Sequence, residues 1–132
     1  MENFILDSYS MITYFEKEKG YEKVSRFLYL ASADKAKLLL NIVNWGEVFY
    51  IVLRTYGSDY ADLIEKEINI LPIKIIDLDF NLTRQAAVFK SKNKMSYADC
   101  FAAATAFIYK CSILTGDSEF KEVENEIKVE WI

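Results

Sequence analysis

No histidine occurs among the 132 residues of this chain. That absence excludes Ser-His and Cys-His nucleophilic sites and any His-ligated zinc centre. Acid–base chemistry must then come from carboxylates, lysine, tyrosine or metal-bound water. Only two cysteines are present, Cys100 and Cys111, and neither has metal-ligand or redox spacing. Both are expected to be structural, buried thiols in a reducing compartment. One proline and four glycines leave no linker, and repeats and low-complexity segments are missing. A basic excess is missing too. The net charge is −4, so this is no globally cationic nucleic-acid binder, and a polyanionic substrate would need local lysines or a bound cation. No run approaches the ~18 consecutive apolar residues of a membrane-spanning helix. The opening, Met1 to Asp7, carries no basic n-region of an export signal. The expectation is a cytoplasmic protein with no membrane association.

What is present fits one domain over residues 1–132, long enough to bury a core without a disulfide or metal staple. The hydrophobic share of 52% and aromatic share of 15% are high for a soluble monomer, so some apolar surface is expected to face another chain. Strand and helix patterns alternate. Asn3–Leu6 reads as a strand, followed by helices over Tyr9–Lys17 and Glu22–Ala33. The continuous apolar run Leu38–Val43 reads as a buried parallel strand. Asn44 then opens a helix to Tyr56, Gly57 stops it, and Ser58–Asn69 forms another. Pro72–Leu78 reads as a strand, Phe80–Lys92 and the alanine-rich Ser96–Tyr109 as helices. A short strand Ser112–Leu114, a helical turn Ser118–Lys121 and a last strand Lys128–Trp131 complete the pattern. Such alternation gives an α/β protein with a mostly parallel sheet and helices on both faces. Its functional crevice then lies at the carboxyl ends of the strands, where strand order reverses.

Acids occupy those ends. Asp7 follows the first strand, Glu47 sits early in the helix after the second, and Asp117 follows the short strand Ser112–Leu114. Asp99 joins them from the first turn of the alanine-rich helix. Each has a capping reading: Asp7 or Ser8 for the first helix, Asn44 with Glu47 and Ser96 with Asp99 as capping boxes, Asp117 for the turn after it. Two features favour a metal site. Asp99 is embedded in Tyr97, Ala98, Cys100, Phe101, Ala102 and Ala103, where an ionised carboxylate is costly unless paired or coordinated. Converging carboxylates also repel one another without a divalent cation. Oxygen-only ligation points to Mg²⁺ or Mn²⁺.

The segments Ile5-Leu6-Asp7-Ser8-Tyr9, Asn44-Trp45-Gly46-Glu47-Val48, Met95-Ser96-Tyr97-Ala98-Asp99-Cys100 and Leu114-Thr115-Gly116-Asp117-Ser118-Glu119-Phe120 resemble, in that order, the motifs of PIN domains. The likeness is to the VapC-type toxins of prokaryotic toxin–antitoxin pairs and their archaeal relatives. It implies a three-layer α/β/α fold whose five-stranded parallel sheet has the order 3-2-1-4-5. It also implies that Asp7, Glu47, Asp99 and Asp117 form an acidic quartet holding one or two cations. Glu119 stands where the family often has a further acid, and Ser8 and Thr115 match polar positions near the metal.

The activity implied is hydrolysis of RNA phosphodiester bonds by metal-activated water, with Glu47 either ligating or orienting that water. Lys90, Lys92 and Lys94 lie just before Asp99 and offer either a positive lip for the RNA backbone or an ordinary solvated helix end. Tyr9, Trp45 and Tyr97 are candidates for base or sugar contact beside the commoner core role of aromatics. Met11, Ile12, Tyr14 and Phe15 with Tyr21, Phe27, Leu28 and Tyr29 cover more than one helix face, and the family would use such surfaces for a homodimer and an antitoxin. Three other readings stand beside the toxin: a PIN-fold nuclease of RNA processing, a non-catalytic PIN-fold binding module, and a haloacid-dehalogenase-like phosphatase using Asp77 and Asp79.

Overall fold

In a computed structural model describing all residues Met1–Ile132, five short apolar segments pair side by side. They are β1 (Glu2–Leu6), β2 (Ala36–Asn41), β3 (Ile73–Ile76), β4 (Ser112–Thr115) and β5 (Val129–Trp131). All neighbours run parallel in the order β3-β2-β1-β4-β5, the order the family resemblance implied. Helices α1 (Ser8–Glu16), α2 (Tyr21–Ser32), α3 (Ile42–Tyr56), α4 (Ser58–Ile70), α5 (Phe80–Lys92) and α6 (Tyr97–Tyr109) make the crossovers. A 3₁₀ turn, Ser118–Val123, leads into β5. No helix is long and apolar enough to cross a membrane.

The pleat sends alternate strand residues to opposite faces, and both faces are covered. Ile5, Leu39 and Ile113 pack with Phe89, Phe101 and Phe120 under α5, α6 and the 3₁₀ turn. Phe4, Leu6, Leu38, Leu40 and Leu114 pack with Met11, Val24, Val48 and Ile64 under α1 to α4. Met11, Phe27 and Leu28 therefore belong to this second core, contrary to the partner surface expected of them; of that set, Tyr29 is the one left well exposed. Cys100 is buried and Cys111 half-buried, and burial pushes both thiols up to about 11, which keeps them unreactive.

Strand register sets the site. Leu6 lies opposite Leu40 on one side and Leu114 on the other, so the next row across the carboxyl edge is Asn41, Asp7 and Thr115. All three are fully buried. Here the structure corrects the sequence boundary. The second strand ends at Asn41, and Ile42 and Val43 already belong to α3. Asn41, not Asn44, caps that helix: its Oδ1 accepts from Val43 N–H at 2.8 Å, while Nδ2 donates to Thr105 Oγ1 at 3.0 Å. Replacing Asn41 by Ala removes the cap and the donor to the buried Thr105 hydroxyl, which is left with its bond to Phe101 C=O alone. Urea unfolding is expected to show a loss of about 1–2 kcal/mol; an unchanged midpoint would mean that packing alone sets the strand–helix boundary.

Candidate active site

Strand β1 delivers Asp7 to the point where strand order reverses between β1 and β4. Asp7 caps α1 through Oδ1, which accepts from Ser10 N–H at 2.8 Å, and its own N–H donates to Ser10 Oγ at 3.1 Å. Its Oδ2 accepts a short hydrogen bond from the Thr115 hydroxyl at the end of β4. Thr115 Oγ1 in turn accepts from Asp117 N–H at 3.0 Å, so a single hydroxyl ties together the ends of β1 and β4. Asp117 Oδ1 accepts from Glu119 N–H at 2.9 Å and so caps the 3₁₀ turn. Ser96 caps α6 by accepting from Asp99 N–H at 3.1 Å, and its N–H donates to Glu119 Oε1 at 2.9 Å. Capping and convergence thus go together: each cap aims a carboxylate-bearing segment at the same edge.

The result is a trio. Carboxylate oxygens of Asp99, Asp117 and Glu119 all lie within 4.8 Å of one another. Burial, the charges of Asp117 and Asp7, and the neighbouring Glu119 push the Asp99 carboxyl up to about 8. Burial likewise raises Asp7 to about 6, against the lowering effect of the Thr115 and Ser10 hydrogen bonds. No base offsets this charge. The two ion pairs of the molecule, Lys23–Glu130 and Lys92–Glu126, both lie elsewhere. Acids that close, with oxygen donors only, suit a hard divalent cation of the Mg²⁺ or Mn²⁺ type.

The family model for the PIN domain matches residues 4–126. This chain belongs to the PIN domain family. A search of curated proteins found no match. Among solved structures, the PIN domain is similar to a VapBC complex of Rickettsia felis bound to a DNA fragment from its promoter, with a TM-score of 0.77, 16% identity and 98% of each chain covered. It is also similar to DNA-bound VapBC of Salmonella typhimurium, with a TM-score of 0.74, 18% identity and 99% of this chain and 98% of that one covered. A sarcin–ricin-loop-cleaving VapC toxin of Mycobacterium tuberculosis gives a TM-score of 0.72 at 12% identity over 89% of this chain and 92% of that one. At these identities the likeness is one of fold.

The remaining sequence candidates of this PIN domain fall into different places. Glu47 is half-buried in α3 and stands outside the trio; its Oε1 accepts from Asn44 Nδ2 at 3.1 Å. Asn44 is fully buried and also donates to Ala98 C=O at 3.1 Å, so it fastens Glu47 to the start of α6. That role was missed in the sequence, where Asn44 read as a cap. An amide three residues before an acid in an otherwise apolar helix was the signal. Ser8 opens α1 and lines a cavity together with Asp117. The three lysines before Asp99 differ in their partners. Lys90 Nζ donates to Met95 C=O at 2.7 Å and Lys92 pairs with Glu126 at 3.1 Å, which leaves the exposed Lys94 side chain free. Asp77 and Asp79 follow the edge strand β3, and Asp79 is spent capping α5 through Leu82 N–H at 2.8 Å.

Proposed function

We propose that this PIN domain is a metal-dependent endoribonuclease, and that it serves as the toxin of a VapBC-type pair. The observation that carries the reading is the un-neutralised cluster of Asp7, Asp99, Asp117 and Glu119 at the carboxyl edge of the sheet. In this reading Asp99, Asp117 and Glu119 hold Mg²⁺ or Mn²⁺, with Asp7 as a further ligand kept in register by Thr115 and Ser10. When bound, such a cation lowers the pKa of water and offsets charge at phosphorus. Glu47, oriented by Asn44, completes the ligand set or accepts the hydrogen bond of the attacking water. Ser8, Thr115 and the lysines Lys90, Lys92 and Lys94 border the path of the RNA, with Lys94 the one free to meet a phosphate. The VapBC complexes among the fold's neighbours support an antitoxin partner for this chain as well.

The test is a titration of Mg²⁺ and of Mn²⁺ into purified protein with structured and unstructured RNAs. Cleavage is expected to require either ion, to stop in EDTA, and to be lost in Asp7→Asn. Cleavage that persists in EDTA, or that Asp7→Asn leaves untouched, would overturn the nuclease reading. Growth arrest on expression, relieved by the product of a short neighbouring gene, is the expected sign of the toxin role.

A further inference from the structure

Beside Asp117 lies an open cavity of about 240 Å³ whose walls include Ser8, Tyr9, Ile12, Glu18 and Ile51. The geometry points to this cavity as a nucleobase subsite in which Tyr9 stacks on an unpaired base next to the bond being cut. This inference rests on the ribonuclease reading. Tyr9 lies against the backbone on one side and is left open on the other. A Cβ built on Gly116 would come 2.4 Å from Tyr9 Cε1 and 3.0 Å from Cζ, so the ring lies directly on the backbone between Thr115 and Asp117. Gly116 has no positive φ, so what its missing side chain spares is the close approach of the Tyr9 ring, which a Cβ would push aside. One side of the ring is spent on that contact. Even so, Tyr9 stays 44% exposed, a large π surface one residue from Ser8 and in the same cavity as Asp117.

The chemistry of the walls selects the occupant. Asp117 belongs to the cation cluster, and at the rest of the cavity Glu18 repels a phosphate, so the sugar–phosphate backbone is disfavoured there. The Glu18 carboxylate can accept from base N–H groups, while Ile12 and Ile51 offer apolar sides to a flat ring. An aromatic platform with acceptors at its margin is how proteins hold a splayed-out base of single-stranded RNA. Phosphate at the cation cluster and base over Tyr9 are the two ends of one nucleotide.

The experiment maps the cut in an RNA cleaved by the wild-type protein, then replaces each flanking nucleotide in turn with abasic ribose. One position is expected at which the missing base lowers kcat/KM on the order of 10-fold, mainly through KM. Tyr9→Phe keeps the π face and is expected to show the same penalty. Tyr9→Leu keeps an apolar cover on Gly116 but no π face; it is expected to lose about as much on intact RNA and then to be indifferent to the abasic substitution. Its Mn²⁺ affinity should match wild type, which separates base contact from damage to the cluster. If no flanking base matters to the wild type, or Tyr9→Leu pays the full abasic penalty, the subsite is wrong although the nuclease stands. If the wild type cuts no RNA at all, both readings fall.

Discussion

Asp99→Asn is expected to reduce RNA cleavage by at least about 100-fold while leaving the metal-free protein as stable as wild type or more so. Removing a residue that merely orients a metal ligand typically costs 10–100-fold, so loss of a ligand should cost at least the upper end. The stability half of the prediction has the opposite sign from most core substitutions. Breaking a buried polar interaction usually destabilises, because the partner is left unsatisfied. Asp99 is only 5% exposed, but it faces Asp7, Asp117 and Glu119 with no basic partner, and its carboxyl is held near 8. In the metal-free protein its ionised form would be a charge in surplus, so the carboxyl keeps its proton below about pH 8, a neutral state that Asn reproduces. Asn is isosteric and neutral, and its amide can donate to the acids that Asp99 repels. Cleavage at saturating Mg²⁺ and thermal unfolding in EDTA measure the two halves. Near-normal cleavage would remove Asp99 from the site. A large drop in the melting temperature would make it a structural residue whose loss of activity says nothing about metal.

A mostly parallel sheet with acids at the ends of its strands was legible because both follow from coarse features, whereas the strand order was implied only by the PIN-domain resemblance. Apolar runs alternate with helical periods, and Asp7, Asp99 and Asp117 each open an element. The end of the second strand was not legible, since Leu38–Val43 is one unbroken apolar run and hydrophobicity cannot show where strand becomes helix. That boundary depends on Asn41 finding Val43 N–H and the Thr105 hydroxyl, which is 64 residues away along the chain. The Thr115–Asp7 bond has the same character, spanning 108 residues and existing only because Leu6 is in register with Leu114. The basic run left two readings open for a different reason. Its spacing says nothing of whether Lys90 turns back onto Met95 or Lys92 finds Glu126. Glu119, by contrast, gained weight: the longer side chain reaches both Ser96 N–H and the acid trio.

Metal-free protein is expected to lose stability as pH rises from about 4 to about 9, and a divalent cation is expected to reverse that trend. Asp7 and Asp99 have carboxyls raised to about 6 and about 8, against 3.8 for the ordinary side chain. Between the ordinary and raised values the folded chain binds more protons than the unfolded one, so stability falls with pH across that window. Asp99 contributes across the whole window, and Asp7 adds to it in the lower part. Above both values, the full cost of crowding ionised carboxylates is present. A cation bound to the cluster replaces those protons, so its effect should be largest near pH 8 and fade near pH 5, where protons compete for the same oxygens. At about 100-fold over its dissociation constant, Mn²⁺ contributes about 2.7 kcal/mol, or roughly 10 °C in melting temperature for a domain of this size. Melting curves across pH, in EDTA and in Mn²⁺, measure this directly. Asp7→Asn should make the EDTA curve shallower between about 4 and 6, and Asp99→Asn should make it shallower from about 4 to 8. A melting temperature in EDTA that holds level or rises from pH 5 to 8, with no response to Mn²⁺, would mean the acids are neutralised within the protein and hold no metal.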